Sequence, residues 1–84
     1  MSNIIYPKGS DEQKHMKSHL MSFIHLQGFK SLKEACEKTK SDYQLIYGLI
    51  NGQRKCKIET IERFVKAINN DFKVDIVDGK PVIK

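Results

Sequence analysis

The chain has 84 residues, fifteen Lys or Arg against ten Asp or Glu, giving a formal net charge of +5 and a pI near 9.3. That length supports one domain with its own core but leaves little room for a deep catalytic cleft, so a binding module is favoured over an enzyme. The 39% of hydrophobic residues is nowhere gathered into a run long enough to span a membrane, and the basic balance suits a polyanionic partner.

Residues 1–9 hold Pro7 and Gly9 with no helical period and read as a flexible arm, loose unless docked, ahead of a single domain over 10–84. This stretch lacks the basic flank and long apolar segment of a secretion signal, so a cytoplasmic protein is expected. Ser10 opens the first helix in an S-x-x-Q capping box with Gln13, and Asp11 and Glu12 place negative charge where the helix dipole is positive. Met16, Leu20, Phe23, Ile24 and Leu26 are its candidate apolar face, and the helix is predicted over 11–27, ahead of Gly28. Ser31 and Glu34 form a second box, S-x-x-E, for a short helix ending near Thr39 with Ala35 and Cys36 turned inward. Asp42 or Ser41 then caps a third helix. Leu45, Ile46, Leu49 and Ile50 are its apolar face, and Asn51-Gly52 ends it.

A basic loop follows, Gln53-Arg54-Lys55-Cys56-Lys57. The fourth helix, about 58–69, places Ile58, Ile61, Phe64, Val65 and Ile68 at helical spacing. From Phe72 the period falls to two, and Asp78-Gly79 is a favoured type I′ turn, so 72–83 reads as a β-hairpin. Pro81 puts its last strand at an edge. The expected fold is mainly α with a small β element: four helices carrying a helix-turn-helix, then a C-terminal hairpin.

Two short helices joined by a tight turn make a helix-turn-helix pattern over about 31–52. Four stretches carry a closer resemblance: Ser31-Leu32-Lys33-Glu34-Ala35-Cys36, the pair Ile46 and Leu49, Asn51-Gly52, and Ile58-Glu59-Thr60-Ile61. In these the chain resembles the Cro/repressor-type (XRE-like) family of phage Cro proteins, phage or prophage repressors, restriction-modification controllers and some antitoxins. Cys36 falls at the family's small inter-helix position. The chain departs at Lys40, where glycine is usual and a left-handed conformation is required. It departs again at Gly48, inside the third helix, and at Ile50, where an acidic residue is usual.

The resemblance implies a sequence-specific double-stranded DNA-binding transcriptional regulator, with the third helix, about 42–51, in the major groove. Asp42, Tyr43, Gln44, Tyr47 and Gly48 would then project toward DNA, the last four as base readers. Gln44 is the strongest of these, because its amide can pair bidentately with adenine. Gly48 would be tolerated inside the helix because a side chain there would collide with the duplex. Asn51, Gln53, Arg54, Lys55 and Lys57 would grip phosphates after the helix. Lys33 joins them, since a helix N-terminus itself attracts an anion, and Lys8 is a weaker arm candidate. A homodimer on an inverted repeat is expected, with the hairpin's open edge as its candidate contact. The alternative is an antitoxin-like module that binds a partner protein.

Other chemistry is poorly supplied. His15 and His19 share a helix face but lack the glutamate of H-E-x-x-H, and His25 lies off that face, so no metal is expected. Two cysteines are too few for a disulfide framework and read as reduced thiols. Neither a phosphate loop nor a nucleophile elbow is present, so no cofactor and no catalysis are expected.

Overall fold

A computed structural model describes residues 4–84, and the first three residues of the predicted arm lie outside it. In chain order the elements are β1 (Ile5–Tyr6), α1 (Asp11–Leu26), α2 (Leu32–Thr39), α3 (Tyr43–Asn51), β2 (Cys56–Lys57), α4 (Ile58–Ile68), β3 (Val74–Val77) and β4 (Lys80–Ile83). The described chain is mainly helical with a C-terminal hairpin, as the periodicity anticipates.

Side chains at the predicted positions start three of the helices. Ser10 accepts from the Gln13 N–H at 3.2 Å, Ser31 from the Glu34 N–H at 3.1 Å, and Asp42 from the Leu45 N–H at 3.2 Å. The return bonds of the two boxes are shifted by one residue. Gln13 Oε1 accepts from the Gly9 N–H at 2.7 Å and Glu34 Oε1 from the Lys30 N–H at 2.9 Å, each one residue before the cap. Between α2 and α3, Lys40 adopts φ 56° and ψ 38°, and the Ser41 N–H reaches the Cys36 carbonyl at 2.9 Å. A left-handed C-cap thus reverses the chain without glycine, at a strain of about 1 kcal/mol.

The core joins all four helices and the hairpin. Met16, Leu20, Phe23 and Ile24 of α1 meet Ile46, Leu49 and Ile50 of α3 and Ile58, Ile61, Phe64 and Val65 of α4. Phe72, just before β3, stacks edge-on against Phe23 with ring centroids 5.2 Å apart. Leu26, taken with the apolar face of the first helix, is instead 83% exposed, because it lies off the stripe of its neighbours on the last turn. Glu62, on the inner side of α4, is buried and accepts the Val74 N–H at 3.2 Å.

The arm is docked where it is described. Ile5 pairs with Lys57 and Tyr6 with Cys56 in an antiparallel bridge, and the Ile58 N–H donates to the Ile4 carbonyl at 3.1 Å. The stretch after α3 is therefore half loop and half strand, with Cys56 inward and Lys55 and Lys57 outward.

In the hairpin, Asp78 (φ 55°) and Gly79 (φ 79°) take the two left-handed positions of the turn. Lys73 and Lys84 exchange both backbone bonds at 3.1 Å, so by antiparallel alternation Asp75 pairs in the same way with Val82. Val74 and Ile76 consequently turn their N–H groups away from β4. Both donors are already taken, by Glu62 and by the Asp75 side chain at 2.9 Å. Pro81 sits at a non-hydrogen-bonded position opposite Ile76, where its missing N–H breaks no ladder bond, and its ring is buried. The hairpin expected to pair with a second copy thus has the outward donors of β3 taken by Glu62 of α4 and by Asp75, and a proline on β4.

Candidate nucleic-acid interface

The outer face of α3 is where the expected base readers can be judged. Its inner face buries Ile46, Leu49 and Ile50, so the 3.6-residue period turns Tyr43, Gln44 and Tyr47 outward, and all three are exposed. The two tyrosine rings lie side by side with centroids 5.7 Å apart. Asp42 caps the helix start at the same end.

Gly48 is placed differently from its expected role. It is buried, and a Cβ added there would lie 3.1 Å from Arg54 Cδ and 3.2 Å from Cγ. The space beside the glycine is filled by the stem of this chain's own arginine, which would have to shift by a few tenths of an ångström to admit a Cβ, so Gly48 forms the floor beneath Arg54. The Arg54 N–H also returns to the Gly48 carbonyl at 3.1 Å.

Two grooves flank the helix. One, of about 370 Å³, lies between Tyr43, Gln44 and Tyr47 on one side and Gln53 and Arg54 on the other. The second, of about 310 Å³, runs from the start of α2 to the tyrosines and is bordered by Lys17, Lys33 and Asn51. Their charged residues are Lys17, Lys33 and Arg54, and neither groove has a carboxylate in its lining. Among the described residues the ion pairs are Arg63 with Glu59 and Lys84 with Asp75, and neither includes a residue that lines the two grooves.

The remaining candidates divide. Gln53, Lys55 and Lys57 are exposed beyond the helix end, and Lys33 is exposed in the first turn of α2. Lys8 is exposed between β1 and α1. Asn51 is engaged within the chain: its amide donates to the Tyr47 carbonyl at 3.0 Å and its oxygen accepts from Lys17 Nζ at 2.6 Å. It anchors Lys17, which the sequence reading missed because 34 residues separate the pair.

Gln13 was also missed as a site residue. Its Nε2 donates to the carbonyls of Leu49 at 2.7 Å and Arg54 at 2.8 Å, while Oε1 holds Gly9. One buried amide thereby ties the arm, the end of α3 and the basic loop together. The capping-box pattern gave a local account of Gln13 and concealed this one.

Of the groups considered for other chemistry, the cysteines are enclosed while His15 and His19 are half-buried and His25 is exposed. Cys36 and Cys56 are free and buried, and burial pushes each thiol up to about 11. His15 and His19 stack with centroids 4.5 Å apart; burial, then the charges of His19 and Lys80, lower the His15 pKa. Among the described residues no group of three His, Cys, Asp or Glu side chains is placed to hold a metal ion, and no helix is long and apolar enough to cross a membrane. Comparison of this chain with known protein families, curated proteins and solved structures finds no match.

Proposed function

We propose that this chain is a sequence-specific double-stranded DNA-binding transcriptional regulator that places α3 in the major groove and occupies a promoter or operator. The observation that supports it is the outer face of α3: an amide and two phenols exposed on a short capped helix, between grooves whose only charges are cations. An α-helix fits the major groove, where the Gln44 amide can pair with the N6 and N7 of adenine. Tyr43 and Tyr47 would meet thymine methyls or donate a hydroxyl to phosphate. Lys33, Lys55 and Lys57 would bind phosphates and set the register without reading sequence.

One such helix reads only a few base pairs, so two copies would act on half-sites about 34 Å apart. Selection from a random duplex library at near-physiological salt tests the proposal. An enriched inverted repeat with half-sites about one helical turn apart is expected, and replacing Lys33, Lys55 or Lys57 by Ala should each reduce the salt slope by about one. A bound but random pool would reduce the function to electrostatics. An empty pool would overturn it in favour of an antitoxin-like complex with an acidic protein.

A further inference from the structure

Arg54 lies in the loop after α3, where a flexible phosphate contact would be the ordinary expectation, yet its position is closely defined. Its N–H is bound to the Gly48 carbonyl at 3.1 Å and its own carbonyl to the buried Gln13 amide at 2.8 Å. Its side-chain stem runs across Gly48, close enough that an added Cβ would stand 3.1 to 3.3 Å from Cδ, Cγ and Nε. The guanidinium therefore extends over the outer face of α3, lining the same groove as Tyr43, Gln44 and Tyr47. Among the described residues it has no ion-pair or hydrogen-bond partner.

We propose that Arg54 is a base-reading, specificity-determining residue that recognises guanine next to the position read by Gln44, an inference resting on the DNA-binding reading above. A guanidinium presents parallel N–H donors in a fixed fork, and guanine offers the matching pair of acceptors, N7 and O6, on its major-groove edge. Holding the backbone at both ends and seating the stem on glycine lowers the ordering cost of that contact. Lys55 and Lys57, which flank the inward Cys56 and are exposed, have no such seat and suit the phosphate role. Gly48 then acts as a positioning residue for Arg54.

The test repeats the duplex selection with wild type, Arg54→Lys, Gly48→Ala and Lys55→Ala, each checked for native circular dichroism and melting. Wild type should enrich guanine at one position per half-site beside the Gln44 position. Arg54→Lys, which keeps the charge and loses the fork, should weaken preference for that guanine about 5- to 150-fold and leave other positions intact. Gly48→Ala should lose the same preference although Arg54 is present, while Lys55→Ala should weaken all sequences alike. If Gly48→Ala does not fold, Arg54→Lys decides. A selective wild type with no guanine there, or an Arg54→Lys variant weakened uniformly with its preference intact, overturns the inference and leaves DNA regulation standing. A random or empty wild-type pool overturns both.

Discussion

Gln13 shows how much one buried polar side chain can organise. Two of its three side-chain bonds reach segments distant in sequence, the third holds Gly9 four residues away, and each would leave a buried or half-buried backbone group without a partner if lost. A buried polar group left unsatisfied costs about 1–3 kcal/mol. Gln13→Leu preserves volume and apolar packing but supplies no bond, so urea unfolding should show a loss in that range. Amide exchange should quicken at Gly9 and Arg54 while α2 is unchanged. A stability change below about 0.5 kcal/mol would mean that water or a loop shift replaces the bonds, and the structural account of Arg54 would fail with it.

At the scale of elements, the turn between α2 and α3 is the place where local strain is accepted. Lys40 carries a side chain in the left-handed region, where glycine is free of that penalty, although glycine also gains entropy in the unfolded chain. Lys40→Gly should therefore stabilise the protein by about 0.5–1 kcal/mol, which for a domain of this size raises the melting midpoint by a few degrees. Calorimetry measures this directly, and a lower midpoint would show that the Lys40 side chain does more than tolerate its conformation. The neighbouring supports are Thr39 Oγ1, bonded to the Ala35 carbonyl at 2.9 Å, and Ser41, whose hydroxyl is 2.8 Å from it. They help explain how the turn holds without glycine.

Over the whole molecule, both β elements bind distant parts of the chain to the helices. The radius of gyration is 11.5 Å, close to the roughly 12 Å expected for one globular body of this length. Strand β1 covers Cys56, whose thiol is held protonated up to about 11, as is that of Cys36 on the buried face of α2. Both folded values lie above the ordinary 9.0, so these thiols favour the fold below pH 9, and that contribution declines as pH rises from about 9 toward 11. Deleting residues 1–8 should expose Cys56 while leaving Cys36 enclosed. At pH 8 the full chain should react slowly with a thiol reagent and the shortened chain should show one fast thiol, mapped to Cys56. Two slow thiols in the shortened chain would show that β1 is not what shields Cys56.

Helix positions, their caps and the hairpin turn were legible in the sequence because each depends on residues within four places of one another: hydroxyl or carboxylate at a cap, a 3.6-residue apolar period, Asp78-Gly79 at a turn. The left-handed Lys40 was expected only from the family resemblance. The outward set Tyr43, Gln44 and Tyr47 follows from the same period once the inner face is known. Tertiary structure alone decided the rest, since those features depend on which surfaces meet. It placed Arg54 on Gly48, turned the Gln13 amide toward Leu49 and Arg54, brought Lys17 to Asn51, and laid the arm against Cys56. It also filled the outward donors of β3 with Glu62 and Asp75, closing an edge that strand periodicity left open. A pattern of spacing records which face a residue occupies; the partner across that face is set by packing between segments that the local sequence does not encode.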